Sequence, residues 1–335
     1  MEIHSKVHYK NLIRWSEDKP RVVVLSADLT SSCEADGFRD TYPERFFSMG
    51  IAEQNMLSFA GGLAREGYIP LVHTFAVFIY RRAYDQIAMS VAYSNLPVKM
   101  FGFLPGVTTP GGATHQAIED LSVMRSLPNM TVLECGDVTD VESVLDVMAT
   151  VEGPVYIRML RGEIPRLFAK NEPMKLKTPR LLSRGTDFVL LSSGLCTEEA
   201  IRAGKALEKQ GVRIQHYHIS TLKPFHHPEI LEAISASKYG AITLENHSVI
   251  GGLGSILAEQ MAEAGLGKPL KRLGLQDTFL HGASRTYLMK EYHITAMDLV
   301  RTVEIMAHEN FNIQEADLRE IFIPAMHSSA KADAL

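Results

Sequence analysis

Four side chains in the first half of the sequence have the types and positions that acid–base or cofactor chemistry requires. Glu53 opens a segment with helical spacing, and His115 lies in a glycine-rich segment. A carboxylate at a helix start is favoured by the helix dipole, whereas a partly buried one with a raised pKa can donate a proton. A histidine in such a loop is either structural or catalytic, and the pair Phe75 and Phe78 has a spacing typical of core residues. Taken singly, these residue types leave both interpretations open.

The segments around these residues alternate between short β-branched runs and longer amphipathic ones. Residues 22–28 and 45–50 predict strands, residues 52–67 predict a helix, and residues 104–116 predict a loop. This alternation predicts an α/β fold in which parallel strands are joined by crossover helices on both faces of the sheet. The four side chains fall where strands give way to loops and helices, which is where open parallel sheets bind ligands.

A second unit of the same class follows a change in composition. Residues 166–185 are rich in Pro, Lys and Arg and show no sustained period, which predicts an interdomain linker. The alternation of strands and helices then restarts. We therefore predict two successive doubly wound domains, at 1–165 and 186–325, and a polar tail at 326–335.

The overall composition excludes several classes of partner and site. Lys plus Arg total 34 and Asp plus Glu total 39, so the net charge is −5, and without a long basic run we predict no nucleic-acid partner. No stretch approaches ~18 consecutive apolar residues, so we predict no membrane-spanning helix. Cys33, Cys135 and Cys196 lie far apart without C-x-x-C spacing, which favours reduced thiols in the cytoplasm over disulfides or a zinc site.

The order and neighbours of the four side chains resemble the transketolase family of thiamine diphosphate enzymes. The resemblance rests on G-I-A-E-Q around Glu53, on the aromatic pair after a short strand, and on T-H-Q at 114–116 followed by a helix. It covers nearly the whole chain, because a linker and a smaller C-terminal domain follow in that family too. It implies that residues 1–165 form a pyrimidine-binding domain and residues 186–325 a transketolase C-terminal-like domain.

The resemblance implies a role for each of the four side chains. The glutamate matching Glu53 contacts the aminopyrimidine ring nitrogen of thiamine diphosphate. Phe75 and Phe78 match the aromatic residues that pack against the pyrimidine. The histidine matching His115 reaches the substrate, where it donates a hydrogen bond or moves a proton at the developing alkoxide. Glu53 and His115 are therefore the implied catalytic residues.

Four more residues are implied to contact cofactor or substrate. Asp28 matches a family aspartate near the cofactor, and Arg81 takes a position that is also arginine in deoxyxylulose-phosphate synthases. Ser32 and Arg158 match positions that bind a sugar phosphate in transketolases, and an arginine can hold phosphate through its planar fork. A structural loop role for Asp28 and a salt bridge for Arg158 remain alternatives.

Two positions depart from the transketolase pattern. Gly111 stands four residues before the loop histidine, where transketolases typically carry an aspartate that contacts a sugar hydroxyl. Phe103 replaces a histidine that contacts phosphate. The donor and acceptor are therefore not fixed as standard pentose phosphates.

The resemblance also implies a partner subunit. Thiamine diphosphate requires a divalent cation that shares its diphosphate. The family supplies the ligands of this Mg²⁺ from a separate N-terminal domain through a G-D-G motif followed by Asn, and the sequence contains no such motif. The implied enzyme is a split transketolase that acts on phosphorylated sugars, with a diphosphate-domain subunit as partner in an α2β2 assembly.

Two alternatives remain beside this hypothesis. One is a decarboxylating thiamine diphosphate enzyme, either deoxyxylulose-phosphate synthase-like or the β subunit of a 2-oxo-acid dehydrogenase, and Arg81 and Gly111 keep it open. The other is a non-catalytic paralogue that retains the fold. The intact Glu53, Phe78 and His115 argue against the second.

Overall fold

The computed structural model of the chain describes residues 2–321, so the predicted tail at 326–335 lies outside the described residues. The elements up to residue 165 are, in chain order, β1 (Ile3–His4), α1 (Val7–Trp15), β2 (Val22–Ser26), α2 (Asp36–Thr41), β3 (Phe46–Ser48), α3 (Glu53–Arg65), β4 (Ile69–Phe75), α4 (Ala76–Gln86), β5 (Lys99–Phe103), α5 (Asp120–Ser126), β6 (Thr131–Glu134), α6 (Val138–Ala149), β7 (Val155–Met159) and β8 (Ile164–Pro165).

The later elements are β9 (Arg180–Ser183), β10 (Phe188–Ser192), α7 (Cys196–Lys209), β11 (Ile214–His218), β12 (Thr221–Lys223), α8 (Pro228–Ala236), β13 (Ala241–Ser248), α9 (Leu253–Glu263), β14 (Leu270–Leu275), α10 (Arg285–Glu291), α11 (Ala296–Ala307) and α12 (Glu315–Ile321). Short 3-10 turns occur at Ser31–Cys33, Pro43–Arg45 and Gly106–Thr108, and a π-helical segment, Ile87–Ala92, continues α4.

Two predominantly parallel sheets organise the chain, which confirms the predicted α/β fold. The first sheet has seven strands in the order β12–β6–β7–β5–β4–β2–β3, and the second has five in the order β14–β13–β10–β11–β9. The central strands β2, β5, β7 and β10 are buried along their whole length, as expected when helices cover both faces. The carboxyl ends of β3, β4, β5 and β7 meet at one edge of the first sheet.

Two of the short strands that the sequence did not indicate, β9 and β12, change the picture of separate domains. β9 lies inside the segment predicted as a linker at 166–185 and pairs antiparallel with β11 at an edge of the second sheet. β12 pairs antiparallel with β6, so a segment from the second unit extends the first sheet. Strands of three or four residues are too short to show a period of two, which explains why neither was predicted.

Among the described residues, none of the helices combines the length and the apolar character that crossing a bilayer requires.

Three buried histidines are expected to make the fold acid-sensitive. Burial lowers the pKa of His73 to about 4, that of His247 to about 4 and that of His216 to about 3. In the unfolded chain each imidazole protonates near ~6.5, so between about pH 6.5 and pH 4 the unfolded state binds more protons. The free energy of unfolding therefore falls as the pH falls through this range.

Urea denaturation at pH 7 and pH 5 measures this effect. His216 accepts or donates a hydrogen bond with the Ser192 hydroxyl at 2.7 Å, and glutamine can keep that contact without titrating. His216→Gln is expected to reduce the loss of stability between the two pH values by about 2 kcal/mol. His308→Gln, at an exposed side chain just beyond the end of α11, is the control and leaves the loss unchanged. An unchanged loss in His216→Gln would contradict the assignment.

Candidate active site

Glu53 is a buried carboxylate at the start of a helix. It is the first residue of α3 and only 2% exposed. The buried positions of this helix recur at spacings of three and four, through Met56, Leu57 and Ala60, and Glu53 extends the same face toward the N-terminus. An acidic residue in the first turn is favoured by the helix dipole. The periodicity that buries the apolar residues of α3 thus places the carboxylate inside the protein at the edge of the sheet.

An aromatic wall lies at the end of the neighbouring strand. Phe75 is the last residue of β4 and Phe78 lies in the first turn of α4, so the chain turns from strand to helix between them. Their ring centroids are 5.9 Å apart at an interplanar angle of 23°, which is an offset stack. His115 packs edge-on against Phe78, with centroids 5.4 Å apart at 71°. The structure therefore brings both phenylalanines and the loop histidine together, as the sequence order predicted.

The conformation of the His115 loop explains one departure from the transketolase pattern. A Cβ at Gly111 would lie 2.7 Å from the Cβ of His115, so this turn has no room for a side chain there. Gly112 has φ +72°, a left-handed conformation that favours glycine. The backbone N–H of His115 donates to the carbonyl of Gly112 at 2.9 Å, which closes the turn. An aspartate at 111 is incompatible with this loop.

The second domain holds the same loop in place. The Asn246 side chain, at the end of β13, accepts from the Val107 N–H and donates to the Pro105 carbonyl, both at 3.0 Å. Farther along the loop, Gln116 Nε2 donates to the His281 carbonyl at 3.4 Å. These contacts join residues more than 130 positions apart, so no local pattern could have predicted them. They assign the second domain a role in positioning the histidine loop.

The prediction that Arg158 binds substrate is wrong. Arg158 lies in the middle of β7 and is 1% exposed. Its Nε donates to Asp120 at 2.8 Å, and another guanidinium nitrogen forms an ion pair with Glu134. Burial alone would lower the pKa of Arg158, but the two carboxylates raise it above its usual range. Its Nη2 donates to the carbonyls of Ala117 at 3.3 Å and Asn246 at 3.0 Å, so this side chain stabilises the core between the two domains.

Arg161, three residues after Arg158, lies at the edge of the sheet where a residue that contacts substrate was expected. It follows the carboxyl end of β7 and is only partly buried. Its Nη1 donates to the Ser32 carbonyl at 2.7 Å, and its guanidinium lies 6.0 Å from the centroid of the Phe75 ring. Arg161 therefore lies between the aromatic wall and the 3-10 turn that contains Ser32. Its location just beyond a strand end, rather than inside a strand, is the signal that could have identified it.

The other residues that were predicted to contact cofactor or substrate lie around the same edge of the first sheet, each with different neighbours. Asp28 follows β2, is exposed and has φ +60°, and Ser32 is partly buried in the adjacent 3-10 turn. Arg81 forms a two-pronged ion pair with Glu119 at 2.7 and 2.9 Å and donates to the Ala113 carbonyl. In the described chain Arg81 thus ties α4 to both sides of the His115 loop.

Arg82, which no sequence pattern indicated, contacts two of the predicted residues. Its Nη1 donates to Glu53 Oε1 at 2.8 Å, and its guanidinium carbon lies 4.1 Å from the centroid of the Phe78 ring. Arg82 follows Phe78 by one helical turn, so both project from the same face of α4. The positive charge of Arg82 balances the buried Glu53 carboxylate.

The donor set at this edge fits the aminopyrimidine of thiamine diphosphate. A buried carboxylate beside a stacked aromatic pair offers an acceptor for a ring nitrogen and a flat apolar wall for the ring. Within residues 2–321, no group of three or more His, Cys, Asp or Glu side chains is arranged to hold a metal ion.

Comparisons with known proteins agree with this geometry. The family model "Transketolase, pyrimidine binding domain" matches residues 5–166, and "Transketolase, C-terminal domain" matches residues 177–299. The 6-deoxy-6-sulfo-D-fructose transketolase subunit SqwH of Clostridium sp. (strain MSTE9) is 39% identical over 303 residues, which cover 90% of this chain and 93% of that protein.

A solved split gene transketolase, described as an inactive beta4 tetramer, superposes with a TM-score of 0.83 at 37% identity and covers 90% of this chain and 97% of its own. The 1-deoxy-D-xylulose-5-phosphate synthase of Chlorobium phaeovibrioides (strain DSM 265 / 1930) is 31% identical over 308 residues, and this chain spans only 48% of its length.

Proposed function

Because the chain belongs to the transketolase family, whose pyrimidine-binding and C-terminal domains it carries, we propose that it is one subunit of a split, thiamine diphosphate-dependent transketolase. This enzyme transfers a two-carbon ketol unit between phosphorylated sugars or their anionic analogues. The observation that carries the proposal is the convergence of Glu53, Phe75, Phe78 and His115 at one edge of the first sheet.

Each of these side chains has a task that its surroundings support. Glu53, which is 2% exposed, shares a proton with the ring nitrogen of the aminopyrimidine, and Phe75 and Phe78 hold the flat ring and exclude water. When bound, thiamine diphosphate supplies a carbon nucleophile and an electron sink for bond cleavage beside a carbonyl group. His115, held by its glycine turn, donates a hydrogen bond to the substrate oxygen on which negative charge develops.

We assign the anionic end of the substrate to Arg161, with Ser32 beside it. Arg161 is partly buried and already donates to the Ser32 carbonyl, so a phosphate or sulfonate in the same cleft could be held by the rest of its fork. The similar SqwH protein is named for a sulfonated sugar, which makes a sulfonate as reasonable a ligand as a phosphate. Asp28, near the same strand end, stays a proposed contact with the cofactor.

Arg161→Gln is expected to raise the KM for the anionic sugar by roughly 10–100-fold, because a hydrogen bond between charged groups contributes ~1.5–3 kcal/mol. The kcat should change only a few-fold, since the anion lies away from the reacting carbon. Steady-state kinetics with a phosphorylated substrate and with its unphosphorylated parent measure the effect. Arg65→Gln, at an exposed arginine bonded to Ser94, is the control. An equal loss with both substrates would contradict this role.

We propose that a diphosphate-domain subunit completes the site in an α2β2 assembly and supplies the Mg²⁺ ligands. Large apolar side chains on and around α3 are exposed, and they suit a surface that another subunit covers: Ile51 (72% exposed), Phe59 (40%), Met89 (56%) and Tyr93 (78%). The solved split gene transketolase is described as inactive when it is a tetramer of β subunits, which also supports a second kind of subunit.

A decarboxylating activity remains the second candidate. It is favoured by Arg81 and by the similarity to 1-deoxy-D-xylulose-5-phosphate synthase, at lower identity than to the split transketolase subunit. The ion pairs of Arg81 with Glu119 point to a task in fixing the histidine loop. Ketol transfer is therefore the leading proposal.

A substrate panel on the reconstituted complex separates the two activities. The chain is co-expressed with a diphosphate-domain subunit and assayed with thiamine diphosphate and Mg²⁺. Fructose 6-phosphate and 6-deoxy-6-sulfofructose serve as donors with an aldose phosphate acceptor, and pyruvate with glyceraldehyde 3-phosphate tests decarboxylation. Ketol transfer without release of carbon dioxide is expected. Turnover only with pyruvate, accompanied by carbon dioxide, would overturn the proposal in favour of the alternative.

We propose that the enzyme is cytoplasmic, because free thiols are typical of proteins in a reducing compartment. All three cysteines lie in the described part of the chain, and each is a buried free thiol. Burial raises the pKa of Cys135 and Cys196 well above the usual value, so neither favours oxidation.

A further inference from the structure

Arg82 fills the space between Glu53 and Phe78. Its guanidinium donates one N–H to Glu53 Oε1 at 2.8 Å, and its carbon lies 4.1 Å from the Phe78 centroid, which is the distance of a cation–π contact. The two partners differ in accessibility, since Glu53 is 2% exposed whereas the Arg82 side chain is 43% exposed. One end of Arg82 is thus anchored in the site while much of the side chain faces solvent.

The guanidinium makes the same two kinds of contact that the proposed function requires of the aminopyrimidine. Both groups are planar and have nitrogen at the edge, so each can lie on the Phe78 ring and meet the Glu53 carboxylate. A buried carboxylate without a counter-charge or hydrogen-bond donor is unfavourable. Arg82 supplies both in the chain without cofactor.

We propose that Arg82 is a placeholder for the aminopyrimidine. It satisfies Glu53 and covers Phe78 until thiamine diphosphate arrives, and it then swings out through its exposed side. The inference rests on the proposed function, because it assumes that the pyrimidine binds between Glu53 and Phe78. Its consequence is that part of the free energy of cofactor binding is used to break the contacts of Arg82.

A double-mutant cycle on the full chain without cofactor tests the first half of this inference. Arg82→Met leaves Glu53 buried without its partner, so thermal unfolding is expected roughly 3–5 °C lower than in the wild type. In Glu53→Gln the side chain is neutral, and adding Arg82→Met to that variant should lower the midpoint much less. Arg82→Lys keeps the charge and should stay near the wild type. Equal shifts in both backgrounds would contradict the contact.

Cofactor affinity tests the second half. The dissociation constant of thiamine diphosphate is measured by equilibrium titration of the complex between this chain and a diphosphate-domain subunit, with saturating Mg²⁺. Arg82→Met is expected to bind about tenfold more tightly than the wild type, a change of ~1.4 kcal/mol. Arg65→Met removes the same charge from an exposed site bonded to Ser94 and should leave the affinity unchanged.

The outcomes separate this inference from the proposed function. If the wild-type complex binds thiamine diphosphate but Arg82→Met binds it equally or more weakly, Arg82 is not a placeholder and the proposed function stands. If the wild-type complex binds no thiamine diphosphate, the proposed function fails and the placeholder fails with it. Tighter binding in Arg82→Met, together with the coupling in thermal unfolding, supports the inference.

Discussion

Glu53→Gln is expected to lower ketol transfer by at least ~10³-fold, because it removes the group that we propose shares a proton with the aminopyrimidine, and proton transfer by a positioned side chain contributes ~10²–10⁴-fold. The carboxylate is 2% exposed, so water cannot readily substitute for it. Glutamine has nearly the same shape, so it fills the space of the carboxylate at the start of α3 and leaves the stacked Phe75 and Phe78 rings in place. The complex should therefore still bind thiamine diphosphate, with an affinity within about tenfold of the wild type.

Single-turnover kinetics and a cofactor titration on the same preparation measure the two quantities. Glu66→Gln is the matched control, since Glu66 follows the other end of α3 and is exposed. Its activity and affinity should equal those of the wild type. Full turnover in Glu53→Gln would remove Glu53 from the mechanism.

Arg158→Met is expected to destabilise the fold by about 3–5 kcal/mol, since it breaks a buried ion-pair cluster from one side. Arg158 is 1% exposed, and its loss leaves the Asp120 and Glu134 carboxylates without a cation inside the protein. It would also remove the hydrogen bond to the Asn246 carbonyl, which joins the two domains beside the histidine loop. The variant is expected to unfold at much lower urea concentration and to lose the positioning of that loop.

Urea denaturation of Arg158→Met beside Arg161→Gln makes the comparison direct. The Arg161 side chain lies at the edge of the sheet, so its replacement should change the free energy of unfolding by less than ~1 kcal/mol. The two arginines are three positions apart, yet Arg158 is buried inside β7 and Arg161 is partly buried just beyond its end. A stable Arg158→Met protein with a raised KM would reverse this assignment.

Local sequence patterns identified the elements that position the candidate site residues. The period of α3 places Glu53 on its buried face, and a short apolar strand ending in an aromatic residue marks the turn from β4 to α4. Both depend on residues within one element, which is why they could be predicted. The parallel order of the first sheet then brings their ends to one edge.

The errors have a common physical origin in non-local packing. Arg158 and Arg161 look alike in sequence, and only the position of the end of β7 separates the buried arginine from the partly buried one beyond the strand. The Asn246 contact with the histidine loop joins the two domains, and no period within either segment indicates it. Helical spacing predicts that Arg82 lies on the same face of α4 as Phe78. Its partner Glu53, however, belongs to another helix, α3, so their contact could not be predicted.

The central claim is that this chain supplies the pyrimidine-binding part of a site that a second subunit completes. Calorimetric titration of thiamine diphosphate, with Mg²⁺, into the chain alone and into an equimolar mixture with a diphosphate-domain subunit tests it most directly. We predict binding at least about 100-fold tighter in the mixture, with one cofactor per pair of subunits, which corresponds to ~2.8 kcal/mol. Equal affinity of the chain alone and of the mixture would contradict the claim.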